Sequence, residues 1–85
     1  MDLYMFTGFT DRDVVFCVAF NDLEAWDFVL TAEGGLHYLR DKFPIMRKLA
    51  ESECLDINGT EMYVEDYLAY WPQEGIVTEE IQLCP

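Results

Sequence analysis

The sequence predicts an α+β fold in which an antiparallel sheet of about four or five strands packs against two or three helices. Two N-terminal segments, residues 3–9 and 14–20, are rich in β-branched and aromatic residues and flank a polar turn. An Asn-Gly pair at residues 58–59 separates two more short runs of this kind, and the intervening sequence has helical periodicity. Strands at both ends of the chain, with helices between them, follow from these three observations.

The first two strands are expected to form an antiparallel hairpin across the turn at residues 10–13. The run from Val14 to Phe20 is apolar at every position, so neither of its faces is suited to water. We therefore expect this strand to lie centrally in the sheet, with its two faces covered by different elements.

A helix is predicted over residues 22–33, because Asn21 and Glu24 have the spacing of a capping box. The glycines at residues 34–35 provide the flexible backbone that commonly ends a helix. The side chains expected to face the core lie three and four positions apart: Leu23, Trp26 and Leu30.

A second helix, kinked or broken at Pro44, is predicted over residues 36–53. Its apolar residues recur at helical spacing: Leu36, Leu39, Phe43, Met46 and Leu49. Four of the five basic residues of the chain fall on this segment: Arg40, Lys42, Arg47 and Lys48.

Asn58-Gly59 predicts a two-residue hairpin with a type I′ turn. A register that pairs Ile57 with Thr60 leaves Asp56 and Glu61 on the outward face. The same register places four apolar side chains together on the other face: Leu55, Ile57, Met62 and Val64. A short helix over residues 65–71 and a final strand over residues 76–83 complete a single domain of residues 1–85.

The charge of the chain is strongly one-sided, with 17 acidic residues, five basic residues and a net charge of −12. A hydrophobic content of 52% argues against disorder, so this is expected to be a folded acidic protein. Residues 49–85 contain no Lys or Arg, and their nine acids form the predicted partner-binding surface: Glu51, Glu53, Asp56, Glu61, Glu65, Asp66, Glu74, Glu79 and Glu80. Such a charge opposes compaction, which favours a role for it in binding.

The three cysteines, Cys17, Cys54 and Cys84, are an odd number and include no C-x-x-C pair. This pattern predicts neither a disulfide framework nor a zinc site, and it favours reduced thiols in a cytoplasmic protein. The longest apolar run is about a third of the length that a membrane span needs, so no membrane association is expected.

The spacing of Cys54, Asp56, Asn58, Gly59 and Glu65 resembles that of an EF-hand loop. However, Cys54 stands where a carboxylate is expected, and Glu61 stands at an apolar position of that loop. The hairpin interpretation explains the same residues without calcium, so no metal or other cofactor is predicted.

An enzymatic role is not predicted, because acid–base or nucleophilic chemistry would depend on the single histidine, His37. Its position near a helix start is explained by an exposed or capping role. Four aromatics in the C-terminal half are expected to serve mainly as core, with part of the group exposed for protein contacts: Tyr63, Tyr67, Tyr70 and Trp71.

In size and charge, the chain resembles the small acidic inhibitors of phages and mobile elements, including anti-CRISPR proteins and DNA-mimic antirestriction proteins. The resemblance implies stoichiometric occlusion of a basic nucleic-acid-binding site on a host defence complex, with carboxylates standing in for phosphates. Direct binding of nucleic acid is disfavoured, because 17 acids repel a polyanion.

Two other classes of function remain open. A small adaptor or structural subunit would bind its partner through exposed aromatics, with weak dependence on salt. A calcium-binding or enzymatic domain would use Asp56, Asn58, Glu65 or His37.

Overall fold

The computed structural model describes residues 1–8, 14–32, 44–70 and 73–85. Over these residues, seven strands form two antiparallel sheets, accompanied by two helices. The predicted α+β class is therefore confirmed, with the strands divided between two sheets. The elements in chain order are β1 (Asp2–Thr7), β2 (Val14–Ala19), α1 (Asp22–Ala32), β3 (Ile45–Lys48), β4 (Cys54–Ile57), β5 (Thr60–Tyr63), α2 (Val64–Tyr70), β6 (Gly75–Ile76) and β7 (Ile81–Leu83).

The larger sheet has the strand order β3-β1-β2-β6. The predicted hairpin pairing is confirmed, with Leu3 opposite Val18 and Phe6 opposite Val15. Strand β2 lies between β1 and β6, and its residues from Val15 to Ala19 are all buried. Its apolar sequence thus reflects a central position, as predicted.

Each face of the larger sheet is covered by a different layer. One face packs Phe6, Val15 and Cys17 against Ala25 and Val29 of α1. The opposite face packs against the smaller sheet and α2 through Leu3, Phe16, Val18, Leu49, Leu55, Ile57, Val64 and Tyr67. The cover on this second face is therefore largely a second sheet, with one short helix.

Helix α1 begins with the predicted cap. The amide of Glu24 donates to Asn21 Oδ1 at 2.9 Å, and Glu24 Oε1 accepts from the amide of Phe20 at 3.2 Å. Trp26 packs edge-on against Phe6, with ring centroids 4.9 Å apart. Leu23, however, is 83% exposed, so the prediction that it faces the core is wrong. The covered stripe of α1 includes Ala25 and Val29, which lie four positions apart.

The predicted second helix is wrong over the residues that the structure describes. Residues 45–48 instead form β3, an edge strand that pairs Met46 with Phe6 and Arg47 with Met5. Pro44 precedes this strand and is unsuited to a helix interior. Met46 and Leu49 are three positions apart, yet they pack on opposite faces of the sheet, so their spacing does not reflect a helix.

The smaller sheet has the order β5-β4-β7 and contains the predicted hairpin in its predicted register, with Ile57 opposite Thr60 and Leu55 opposite Met62. Asn58 and Gly59 have φ values of 52° and 88°, as a type I′ turn requires. The short helix predicted over residues 65–71 is present as α2.

The single final strand predicted over residues 76–83 is instead two strands. Strand β6 pairs with β2 in the larger sheet, while β7 pairs with β4 in the smaller one. The polar residues 78–80 between them lie where the chain passes from one sheet to the other. Several predicted features lie outside the described residues: the turn at residues 10–13, the glycines at residues 34–35, the apolar positions Leu36, Leu39 and Phe43, the bases Arg40 and Lys42, and His37 and Trp71.

Candidate protein-binding surface

The described residues include thirteen carboxylate side chains and only two basic side chains, Arg47 and Lys48. Both bases lie on the edge strand β3, and both are occupied. Arg47 contacts Glu53 at 2.8 Å, and Lys48 contacts Asp2 at 3.5 Å. Of the nine predicted surface acids, only Glu53 therefore has a basic partner within the described part of the chain.

The carboxylate of Glu53 has a structural role. Its Oε1 accepts from Arg47, and its Oε2 accepts from the amide of Ala50 at 2.6 Å. Partial burial pushes the pKa of Glu53 upward, but the two hydrogen bonds and the charge of Arg47 outweigh it and lower the pKa. Glu53 consequently stabilises the turn before β4 and contributes little free charge to a partner.

Three of the predicted acids lie around the β4–β5 hairpin. Asp56 and Glu61 are directly opposite each other on the outward face of the smaller sheet. The backbone carbonyl of Glu80 accepts from the amide of Asn58 at 2.9 Å, which brings this residue beside the turn. A groove of about 210 Å³ lies beside the turn and includes two of these acids in its lining: Asp56, Asn58, Gly59, Glu80 and Gln82.

A second group lies where the loop before β4 meets α2. The amide of Glu65 donates to the carbonyl of Glu51 at 3.1 Å, so these two acids are neighbours although they are fourteen positions apart. Asp66 follows Glu65 in the first turn of α2. All three side chains are exposed, and they extend the negative surface away from the hairpin.

The last two predicted acids, Glu74 and Glu79, do not join either group. Glu74 hydrogen-bonds with Glu24 of α1, and this contact raises the pKa of Glu74. Glu74 directly precedes β6 and lines a cavity together with Tyr67 and Glu79. Glu79 lies near Tyr67, whose pKa is raised to about 12 by burial and, to a smaller extent, by this negative charge. The predicted surface is thus distributed around the molecule, with its densest parts at the hairpin and at α2.

The aromatic residues divide between core and surface. Tyr67 is buried in the core between the sheets, whereas Tyr63 and Tyr70 are 54% and 75% exposed. Phe20 and Leu23, at the start of α1, are also largely exposed. These exposed apolar side chains are compatible with the adaptor hypothesis, in which they would contact a protein partner.

A cluster that the sequence analysis missed lies on the outward face of the smaller sheet. Cys54 on β4 and Cys84 after β7 are joined by a disulfide, with Cα atoms 5.4 Å apart. The prediction that all the cysteines are reduced is wrong for this pair, while Cys17 is free and buried. Burial, and to a smaller extent the charge of Glu24, raises the pKa of the Cys17 thiol to about 11.

The two bonded cysteines are 30 positions apart in the chain and become neighbours only when β7 pairs with β4. A carboxylate oxygen of Glu61 and the two sulfur atoms all lie within 4.8 Å of one another. Of the residues that suggested an EF-hand, Glu65 lies in α2 and the others lie in the hairpin, where Asp56 accepts a hydrogen bond from the amide of Gly59 at 2.9 Å. Only the β7 pairing could have revealed this sulfur and carboxylate cluster.

No known protein family, curated protein or solved structure matches this chain. Among the residues that the structure describes, no helix is both long enough and apolar enough to cross a membrane.

Proposed function

We propose that this chain is a stoichiometric inhibitor that binds a host defence complex of the CRISPR or restriction type and occludes its basic nucleic-acid-binding site. The observation that carries this proposal is the charge balance of the described surface. Eight of the nine predicted acids lack a basic partner within the described residues, and both described bases are engaged by other carboxylates. The negative field is therefore not neutralised within the part of the chain described.

The mechanism relies on long-range electrostatics, because the negative field of the chain resembles that of a nucleic-acid backbone. A groove lined by Lys and Arg attracts any surface with a high density of negative charge, and this attraction accelerates the encounter. The acids around the hairpin and at the start of α2 would stand in for phosphates. Inhibition of this kind needs no catalytic residue, and the inhibitor does not itself contact nucleic acid.

The proposed site of action is the cytoplasm, which would be that of the host cell for a phage-encoded chain. Thiol reductants keep most cysteine pairs reduced in that compartment. The Cys54–Cys84 disulfide would therefore be open there, and the fold would depend on its two sheets and their shared core.

The test uses the partner captured from a host lysate and then purified, with nucleic acid as the competitor. We expect the chain to displace DNA or RNA from the partner, and its affinity to fall steeply between about 50 and 300 mM salt as charges are screened. A double variant, Glu65→Gln with Asp66→Asn, should bind more weakly, mainly through slower association.

The matched control is Asp22→Asn with Asp27→Asn, which removes two charges from α1, outside the predicted surface. Its affinity should stay closer to that of the parent. Equal losses in both double variants would show that only net charge matters. Simultaneous binding of chain and nucleic acid, with affinity indifferent to salt, would contradict the proposal.

The second candidate is an adaptor subunit that binds a protein through exposed apolar side chains. The observation that favours it is the exposure of Phe20 and Leu23, at 59% and 83%, on one end of α1. Replacing both with Ser would abolish adaptor binding and leave the inhibitor's competition with nucleic acid unchanged.

A further inference from the structure

The outward face of the smaller sheet carries a compact set of potential metal ligands. Cys54 and Cys84 lie on paired backbone segments, with the amide of Cys84 donating to the carbonyl of Cys54 at 3.1 Å. Glu61 lies on β5, which pairs with the other edge of β4, and its carboxylate comes within 4.8 Å of both sulfurs. Two strands and the residue that follows a third strand thus each contribute one side chain to the same place.

We infer that, when the disulfide is reduced, this chain binds a thiophilic divalent cation such as Zn²⁺ through Cys54, Cys84 and Glu61. Two thiolates and a carboxylate belong to the ligand types that zinc accepts, at about 2.3 Å for sulfur and 2.0–2.2 Å for oxygen. Three protein ligands leave one position of a tetrahedral site for water or another small ligand. The inference goes beyond the proposed function and does not depend on it.

The surroundings provide room for that fourth ligand. A groove of about 240 Å³ opens beside the cluster, lined by Cys54, Glu61, Met62 and Tyr63. Cys54 and Cys84 are partly buried, while Glu61 is exposed. A cation can therefore reach the ligands from solvent without disturbing the core.

The carboxylate of Glu61 is also available to bind a cation, whereas that of Asp56, directly opposite it, is engaged in a hydrogen bond. Asp56 already accepts a hydrogen bond from the Gly59 amide, and this bond stabilises the turn. Within the described residues, Glu61 has no hydrogen bond or ion pair from another side chain. The two carboxylates are directly opposite each other, so Asp56 provides a control for charge at the same face.

The change of state requires a reductant, for which a dithiol such as dithiothreitol serves. One dithiol transfers two electrons and two protons to the disulfide. The products are the free thiols of Cys54 and Cys84 and the cyclic disulfide of the reagent. When the cation binds, each thiol releases its proton to solvent and donates an electron pair to the metal. Oxidation of the pair therefore excludes the metal, and bound metal protects the pair from oxidation.

The experiment titrates Co²⁺, and then Zn²⁺, into the reduced chain under anaerobic conditions. We expect one Co²⁺ per chain, with thiolate-to-cobalt absorption in the near ultraviolet and visible bands typical of tetrahedral cobalt. One equivalent of Zn²⁺ should abolish both. The oxidised chain should show neither, and buried Cys17 should not contribute, so Cys17→Ser should behave like the parent.

Three variants distinguish coordination of the cation by these ligands from its nonspecific attraction to an acidic surface. Cys84→Ser should lose the thiolate absorption, and Glu61→Gln should weaken Zn²⁺ affinity by about tenfold or more, since even residues that only orient ligands contribute that much. Asp56→Asn, which removes one charge from the same face, should bind close to the parent.

Circular dichroism accompanies each titration. If the reduced chain loses its β signal, one equivalent of Zn²⁺ must restore it, and failure to do so would overturn the inference. Absence of the cobalt spectrum in the folded, reduced parent would also overturn it, as would an unchanged spectrum in Cys84→Ser.

Discussion

At the scale of the residue, Trp26 and Leu23 show how much depends on position along one helix. Helical spacing predicts that both face the core, but Trp26 contacts Phe6 at 4.9 Å between ring centroids while Leu23 is 83% exposed. Trp26→Ala should therefore lower the free energy of unfolding by about 3 kcal/mol, through lost burial and the cavity left beside Phe6.

Leu23→Ala is the matched control, and its effect should stay within about 0.5 kcal/mol because little surface is lost from the core. Urea unfolding of the three proteins measures both. A cost for Leu23→Ala equal to that for Trp26→Ala would contradict the placement of α1.

Glu53 carries a second prediction at this scale. Its pKa is lowered in the folded chain, so its contribution to stability is present above the unfolded-state pKa of about 4.3 and is lost as the pH falls through the folded pKa. Glu53→Gln should reduce the free energy of unfolding at pH 7 by about 1 kcal/mol and flatten its decline in acid.

Urea unfolding at pH 7 and at pH 3 measures this difference. Glu51→Gln, which removes an exposed acid from the same loop, should leave both values nearly unchanged. If Glu51→Gln reduced the loss of stability between pH 7 and pH 3 to the same degree, the contact between Arg47 and Glu53 would not be the cause of that loss.

At the scale of the element, the Asn58-Gly59 turn is a conformational requirement. A Cβ added at Gly59 would meet nothing within 4 Å, so sterics with other residues are not at issue. Its φ of 88° is strained for a β-branched residue, and Gly59→Val should destabilise the fold by about 1–3 kcal/mol.

Asn58→Gly is the control, because glycine adopts the φ of 52° at that position readily. Thermal unfolding of both variants in one buffer makes the comparison. A Gly59→Val protein that melts with the parent would show that the turn adopts another conformation.

The hairpins and the cap of α1 could be predicted because their signals are local. Asn21 and Glu24 are three positions apart, and Ile57 and Thr60 flank a two-residue turn, so chain neighbours determine both structures. Strand β3 could not be predicted in the same way. Met46 and Leu49 have helical spacing, but Met46 belongs to an edge strand through its pairing with Phe6 on β1, and Leu49 follows that strand with its amide bonded to the carbonyl of Leu3.

The cluster of Cys54, Cys84 and Glu61 could not be predicted for a related reason. Cys54 and Glu61 lie on β4 and β5, Cys84 follows β7, and the two bonded cysteines are 30 positions apart in the chain. The acidic surface was evident from composition, but the division of its members between the hairpin, α2 and the neighbourhood of α1 depends on tertiary structure. The spacing of residues along the chain does not indicate such contacts.

At the scale of the whole molecule, the disulfide closes a loop that runs from β4 through β5, α2 and β6 to the end of β7. Constraining a loop of this length in the unfolded chain contributes about 3–4 kcal/mol, so reduction should lower the free energy of unfolding by about that amount. Denaturation with and without a dithiol measures it, in the presence of a chelator that removes adventitious zinc. Cys54→Ser with Cys84→Ser should match the reduced parent and show no further response to dithiol.

Salt should act on the fold and on the proposed complex with opposite signs. The net charge of −12 makes the folded chain repel itself, and the screening length shortens to about 10 Å at 0.1 M salt. Raising NaCl from about 50 to 300 mM should therefore stabilise the isolated chain. A gain of about 1 kcal/mol would raise Tm by about 4–8 °C in a domain of this size.

The same titration should weaken binding to a basic partner, because attraction between the two surfaces is screened as well. The double variant Glu65→Gln with Asp66→Asn should show a smaller gain in Tm and a smaller loss of affinity, since both responses arise from the same charges. Scanning calorimetry and stopped-flow association, run on the same samples, compare the two. If binding and Tm both fell with salt, unfolding of the chain would account for the lost affinity, and the electrostatic mechanism would be excluded.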